Sequence, residues 1–166
     1  MQTSFDAEGV ATYKKNVIEN GVLKTLLYDL TNARKAGKES TGNAQRSSYA
    51  DPVGIRPFSF DICPGDKTLD ELFAQVGEGI YITNVKGLHA GTNEVTGDFS
   101  IESAGYRIEN GKKGQAIKSF TMAGNFFEFL KQIEAVSDTL RCGAPFGFTI
   151  FGSPDVYVKN MSIAGK

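Results

Sequence analysis

Two copies of the tripeptide Glu-Asn-Gly, at residues 19–21 and 109–111, constrain the fold of this chain more than any other feature of its sequence. Asn and Gly tolerate the positive φ angles of a tight two-residue turn, and Asn-Gly between β-forming segments is a strong hairpin signal. The flanking segments are 11–17 and 22–27 for the first copy, and 99–108 and 116–122 for the second. The sequence therefore predicts two antiparallel β-hairpins.

Two short helices are predicted from capping residues and apolar periodicity. The first covers 29–36, and Asp29 is suited to cap its start. The second covers 69–76, because Thr68 and Glu71 have the spacing of a capping box and apolar residues recur behind them at helical intervals.

A third helix is predicted over 125–137, where Asn125 is followed three residues later by Glu128. Its apolar residues fall on one helical face. They are Phe126, Phe129, Leu130, Ile133 and Val136. An aromatic stripe at this spacing is more often part of a protein core than of a ligand site.

Further strands are predicted at 58–62, 80–85 and 156–163. Seven or more strands with about three short helices, in no strand-helix-strand rhythm, predict an α+β fold dominated by an antiparallel sheet or barrel built from hairpins. A length of 166 residues suits a single domain over 1–166. The polar segment 38–55 is too long for a simple connection, so we expect it to be functional or mobile.

Charge and hydropathy exclude several classes of partner. The net charge of -1 leaves no basic surface for a nucleic-acid backbone, so no nucleic-acid partner is expected. No apolar run reaches membrane-spanning length, and the start of the chain lacks the pattern of a signal peptide. Two cysteines without a secretion signal indicate reduced thiols and predict a cytoplasmic protein.

The only histidine, His89, lies in a glycine-punctuated polar segment, 87–100, between two predicted strands. A lone histidine is suited to proton transfer near neutral pH or to metal binding. It can equally be a loop residue that hydrogen-bonds a neighbour, and composition alone favours that interpretation. His89 and Cys142 have the residue types of a thiol nucleophile and its base, but a cysteine is more often a buried, inert residue.

Common catalytic motifs are absent from the sequence. It contains no phosphate-binding loop, no dinucleotide fingerprint and no pair of histidines on a helix. A closed zinc site needs about four ligands, usually Cys or His at short spacings, and this sequence offers none of the usual spacings. No cofactor is therefore expected in this chain alone.

Several segments, taken together, resemble the C-terminal portion of the TldD/PmbA family, also called modulator of DNA gyrase proteins. They match in order and spacing over nearly the whole chain. These segments are 5–10 (FDAEGV), 18–37, 40–46 (STGNAQR), 64–82, 87–100 (GLHAGTNEVTGDFS), 108–112, 121–140 and 153–166. The family's name suggests DNA, but neither the charge nor any motif of this chain supports DNA binding.

The resemblance implies a peptidase or peptidase-like subunit that processes short or unfolded peptides. The catalytic branch is implied to bind zinc through two histidines of a helix upstream of this region and a cysteine near the C-terminus, for which Cys142 is the candidate here. The segment 87–100 is more similar to the PmbA branch, which generally lacks that helix and pairs with a TldD-type subunit. A structural role for Cys142 is therefore favoured, and zinc is expected only with upstream or partner residues.

The predicted function is thus that of a PmbA/TldE-like C-terminal domain that binds peptides and assembles with a TldD-type subunit or with another copy. His89, Arg46 and Asn93 are the candidate substrate-binding residues, with Arg46 placed to take a peptide carboxylate. The alternative for Arg46 is a surface ion pair. Two alternative functions remain open: the C-terminal half of a TldD-type zinc metallopeptidase with Cys142 as ligand, and a purely structural oligomerisation module.

Overall fold

The computed structural model describes residues 3–165 and confirms an α+β fold rich in antiparallel strands. Within these residues the helices are α1 (Leu30–Ala36), α2 (Leu69–Val76), α3 (Leu88–Gly91) and α4 (Phe126–Lys131). The strands are β1 (Ile18–Glu19), β2 (Val22–Leu23), β3 (Ala44–Gln45), β4 (Gly54–Ile55), β5 (Ser59–Asp61), β6 (Gly79–Lys86), β7 (Asp98–Glu109), β8 (Lys112–Asn125), β9 (Ile133–Val136), β10 (Arg141–Cys142), β11 (Ile150–Ser153), β12 (Val156–Val158) and β13 (Ser162–Ala164).

Two compact units are present, and each takes residues from two stretches of the chain. The first unit comprises the described residues of Met1–Asp61 together with Cys142–Gly152, and the second comprises those of Ile62–Arg141 and Ser153–Lys166. The single domain predicted over 1–166 stays a prediction.

The first hairpin of the first unit forms around the predicted turn but is much shorter than predicted. Asn20 and Gly21 have φ angles of 51° and 74°, as the Asn-Gly signal requires. However, β1 and β2 contain only two residues each, because a lone two-stranded ribbon has no further sheet or helix to cover its apolar face. The longer strands predicted at 11–17 and 22–27 are therefore wrong.

The protein also contains a three-stranded sheet in the order β10-β11-β5, and the paired residues of β11 and β5 belong to the first unit. Its strands β11 and β5 are parallel, with Ile150 opposite Ser59. The Thr149 hydroxyl donates to the Pro57 carbonyl oxygen at 2.6 Å, a contact between residues 92 positions apart in sequence. The helix α1 is capped as predicted, with the Asp29 carboxylate accepting from the Asn32 amide at 2.6 Å.

The second unit is built on an antiparallel sheet in the order β13-β8-β7-β6. Strands β7 and β8 form the second predicted hairpin, and Asn110 and Gly111 at its turn have φ angles of 50° and 71°. Gly105 lies where the register of β7 shifts, and a Cβ atom there would lie 2.0 Å from the Tyr81 carbonyl oxygen. The close approach of β6 to β7 therefore requires a glycine at this position.

The helix α2 packs as its periodicity predicts. Thr68 and Glu71 form the capping box, and Leu72 and Phe73 are buried. The Phe73 ring lies edge-on to the Tyr81 ring of β6, with 5.1 Å between ring centroids. This aromatic contact joins the helix to the sheet.

The third predicted helix begins where expected but ends early. Asn125 caps it by accepting from the Phe127 amide at 3.0 Å, and α4 then stops at Lys131. Residues 133–136 form β9 instead, which pairs antiparallel with β12. The helix predicted over 125–137 was therefore wrong in its second half, because pairing with a distant strand outweighs the local helical spacing.

Two other sequence-based boundaries need correction. The strand predicted at 156–163 is two strands, β12 and β13, separated by a turn in which Asn160 has a φ angle of 58°. Helix α3 was not predicted, and it lies inside the segment 87–100. No helix formed by residues 3–165 combines the length and apolar character needed to cross a membrane.

Candidate functional site

The segment around His89 is ordered by hydrogen bonds within the second unit. His89 lies in the four-residue helix α3 and is exposed. Asn93 follows it, and its side-chain oxygen accepts from the amides of Val95 at 2.9 Å and Thr96 at 3.1 Å. The Asn93 oxygen is thus occupied in shaping the turn. The roles of His89 and Asn93 in peptide binding stay predictions.

Asp98 closes this loop from the other side. Its carboxylate accepts from the Asn125 amide nitrogen at 2.9 Å and from the Thr96 hydroxyl at 2.7 Å. These two hydrogen bonds lower the pKa of Asp98 below its ordinary value because they favour the charged form. The bond from Asn125 has the larger effect on that pKa. The first residue of β7 is therefore tied to the residue that caps α4.

A second polar cluster in this unit joins Tyr81, Arg141 and Asp155. The Tyr81 hydroxyl donates to the Asp155 carboxylate at 3.2 Å, and the Arg141 guanidinium lies 3.2 Å from the other carboxylate oxygen. Burial raises the pKa of Tyr81 above its ordinary value, and the negative charge of Asp155 is the next largest cause of this rise. Sequence reasoning missed this cluster, since its members are far apart along the chain and belong to no motif.

Arg46 lies in the first unit, at the end of a polar stretch that the structure buries. Residues 41–45 are all buried, although the sequence suggested a functional or mobile segment over 38–55. Burial of Thr41 and Asn43 is tolerated because their side chains have hydrogen-bond partners. The Thr41 hydroxyl accepts from the Tyr28 amide at 2.7 Å, and the Asn43 side chain donates to the Arg56 carbonyl oxygen at 3.2 Å.

Asp6 anchors the same stretch from the other end of the unit's sequence. One carboxylate oxygen accepts from the amides of Glu8 at 2.9 Å and Val10 at 3.0 Å, and the other accepts from the Ala44 amide at 2.9 Å. Asp6 and Ala44 are both buried. The carboxylate therefore holds two chain segments together and has no free oxygen for a ligand.

Beside Arg46 is an open cleft with a volume of about 240 Å³, which we call the aromatic cleft. It is lined by Phe5, Asp6, Ala7, Ala44, Gln45, Arg46, Phe58 and Phe148. Arg46 is exposed and, within residues 3–165, has no carboxylate within 4.0 Å of its guanidinium. The surface ion pair weighed as the alternative for Arg46 is thus not formed among the described residues.

Comparison with known proteins decides the family. The family model described as the PmbA/TldA metallopeptidase C-terminal domain matches residues 1–165. The chain belongs to this family. Its membership agrees with the resemblance seen in the sequence.

Relatives and solved structures of this family extend well beyond the present chain. A protein named metalloprotease from Methanothermobacter thermautotrophicus is 33% identical over 170 residues, covering 98% of this chain and 37% of the relative. A protein named zinc metalloprotease TldD homolog from Saccharolobus solfataricus is 32% identical, covering 97% of this chain and 38% of the relative. The crystal structure of TldE from Thermococcus kodakarensis superposes with a TM-score of 0.85 at 30% identity, covering 98% of this chain and 36% of that one. The chain therefore spans somewhat over a third of the length of these relatives.

The described residues of this family member do not assemble a metal site. Cys63 and Cys142 are exposed free thiols. Between residues 3 and 165, no three His, Cys, Asp or Glu side chains come together in a group able to hold a metal ion. His89 belongs to the second unit and Cys142 to the first.

Proposed function

We propose that this chain is the peptide-binding and assembly domain of a PmbA/TldD-family metallopeptidase subunit and depends on other residues for a complete active site. The family match over residues 1–165 supports a role in a metallopeptidase. The observation that carries the proposed peptide binding is the aromatic cleft, which has exposed apolar rings beside Arg46. The dependence on other residues is supported by the chain's covering only 37% and 38% of two relatives named as metalloproteases. Its cytoplasmic location and its pairing with a TldD-type subunit or another copy belong to the same proposal.

Two surfaces support peptide binding. Strand β6 is at the edge of its four-stranded sheet, and its C-terminal half is exposed. An edge strand offers main-chain donors and acceptors to an extended peptide, so it gives affinity with little dependence on peptide sequence. The aromatic cleft offers a second surface, with apolar rings and a cation.

Metal content separates the proposed function from a TldD-type catalytic role. The test compares zinc bound by the wild-type protein, Cys142→Ser and Cys63→Ser, where Cys63 is the matched control because both thiols are exposed. We expect the three proteins to contain the same amount of zinc by elemental analysis. Loss of zinc in Cys142→Ser alone would make Cys142 a ligand and favour the catalytic alternative.

Peptide titration separates the proposed function from a purely structural one. Unstructured peptides labelled at the N-terminus are titrated with the purified protein, alone and mixed with a TldD-type subunit, and followed by fluorescence anisotropy. We expect saturable binding in both cases. Absence of saturable binding in both cases would support the oligomerisation module.

The expected lack of nucleic-acid binding has a separate test. A gel shift of duplex DNA by the purified protein would contradict it.

A further inference from the structure

We propose that the aromatic cleft binds the C-terminal residue of a peptide, with its apolar side chain among the phenylalanine rings and its free carboxylate on Arg46. This inference rests on the proposed peptide-binding function. It specifies which end of the peptide is bound and which class of residue occupies the site.

The apolar half of the site is formed by three phenylalanine rings that are exposed or half-buried. Phe5 is 63% exposed and Phe148 is 46% exposed, while Phe58 is half-buried. The cleft of about 240 Å³ has room for one aromatic or branched aliphatic side chain, since a cavity of about 150 Å³ accommodates a benzene ring. Burying such a side chain against exposed rings removes apolar surface of both molecules from water.

The charged half of the site is the Arg46 guanidinium. No carboxylate of residues 3–165 lies within 4.0 Å of it. The acid that shares the cleft, Asp6, directs its two oxygens at three backbone amides. A guanidinium presents paired N–H donors that match the two oxygens of a carboxylate. A peptide C-terminus would provide the carboxylate that Arg46 does not contact among residues 3–165.

Gln45, which also lines the cleft, has an acceptor without a partner among residues 3–165. Its side chain is 7% exposed and lines the cleft. Its amide nitrogen donates to the Pro57 carbonyl oxygen at 3.4 Å, but its oxygen has no hydrogen-bond partner among residues 3–165. The terminal side-chain torsion of glutamine is soft, so the amide can rotate towards the cleft. The main-chain N–H of a bound peptide would then satisfy the oxygen.

A C-terminal residue satisfies all three groups at once, whereas the alternatives do not. An internal apolar residue carries no carboxylate and leaves Arg46 unpaired, and an internal Asp or Glu brings a carboxylate but no apolar side chain for the rings. A small inorganic anion pairs with Arg46 but leaves the rings exposed to water. The combination of one apolar side chain, one N–H and one carboxylate belongs to the last residue of a peptide.

The first experiment needs no variant. Three N-terminally labelled pentapeptides are titrated with the purified protein: one ending in Phe with a free carboxylate, the same peptide with a C-terminal carboxamide, and one ending in Ser with a free carboxylate. We expect the free-acid Phe peptide to bind about tenfold or more tightly than the carboxamide, because a charge-assisted bond to arginine is lost. We expect the Ser peptide to bind several-fold more weakly than the Phe peptide.

The second experiment locates the effect in the cleft. Arg46→Gln is compared with Arg56→Gln, since Arg56 is also exposed in the first unit but does not line the cleft. Phe148→Ala is compared with Phe146→Ala, whose ring is exposed and likewise outside the cleft. We expect Arg46→Gln to abolish the preference for the free acid and Phe148→Ala to abolish the preference for Phe over Ser, with both controls unchanged.

The outcomes distinguish this inference from the function on which it rests. Equal affinity for the acid and the carboxamide, or an unchanged preference in Arg46→Gln, overturns the inference while peptide binding stands. If none of the three peptides binds saturably, both proposals are overturned. Circular dichroism of each variant identifies misfolding, and the wild-type comparison of acid with carboxamide decides the matter in that case.

Discussion

The two units of this chain are stabilised by different kinds of interior. The buried residues of the first unit are mainly polar. They include Asp6, Asp29, Thr41, Asn43, Gln45 and Thr149, with Ala33 and Ala44 as apolar members. Those of the second unit are mainly large and apolar. They include Leu72, Phe73, Ile101, Ile108 and Phe120, with Ser103 and Ser137 as polar members.

The interiors of the two units differ more than their surfaces do. In the first unit Phe5 and Phe148 are exposed in the aromatic cleft. In the second unit Phe126 and Phe127 are exposed, while Phe73 and Phe120 are buried. Stability in the first unit depends on satisfied hydrogen bonds, and stability in the second depends on apolar packing.

The largest effect should come from the apolar interior. Phe73→Ala removes a ring that is 6% exposed and stacked edge-on against Tyr81, and we expect a loss of about 3–5 kcal/mol in the free energy of unfolding. Urea denaturation measures it. The control is Val95→Ala, at a side chain that is 89% exposed, which should change stability by less than about 0.5 kcal/mol. A loss below about 1 kcal/mol for Phe73→Ala would contradict an interior centred on this ring.

A smaller effect is expected in the polar interior. Asp6→Asn keeps the shape of the side chain but loses the charge that accepts from three backbone amides, so we expect a loss of about 2 kcal/mol. Hydrogen exchange at the Ala44 amide should speed up with it. Asp51→Asn, at an exposed position of the same unit, is the control and should leave both measurements unchanged. If the two variants have the same stability and the same Ala44 exchange rate, the first unit does not depend on the Asp6 carboxylate.

The smallest effect is expected in the pKa of Asp98. Asn125→Ala removes the hydrogen bond that contributes most to lowering the pKa of Asp98, so we expect that pKa to rise towards its ordinary value in an NMR titration. A lowered folded-state pKa stabilises the protein above the unfolded-state pKa, and this contribution is lost as the pH falls through the folded-state value. The variant should therefore show a weaker loss of stability than the wild type over that acidic window. An unchanged pKa would assign the whole effect to Thr96.

The elements that sequence predicted well are those determined by neighbouring residues. The two Asn-Gly turns and the capping box at Thr68 depend on groups only a few residues apart. The second half of the third predicted helix failed because β9 pairs with β12, whose residues follow about twenty positions later. Local periodicity contains no information about such a partner.

The candidate site was predictable only in part for the same reason. Arg46 was selected from its chemistry and lies in a cleft. The rings beside it come from both stretches of the first unit, and neither Phe5 nor Phe148 is part of a motif that marks a ligand site. The hydrogen-bond partners of the buried residues 41–45 could not be predicted from the sequence either. The Asp6 carboxylate, for example, accepts from the Ala44 amide, which lies 38 positions away in sequence.

The parallel pairing of β5 with β11 affects the order in which the chain folds during synthesis. β5 is made well before its partner, since Pro57 and Thr149 beside these strands are separated by 92 positions. At roughly 5–20 residues per second, a ribosome needs about 5–18 s to make the intervening segment. Throughout this interval the first unit lacks a strand, and the edge that β5 offers to β11 is unpaired. The nascent chain therefore has a period of several seconds in which a chaperone, or a wrong strand, can pair with that edge.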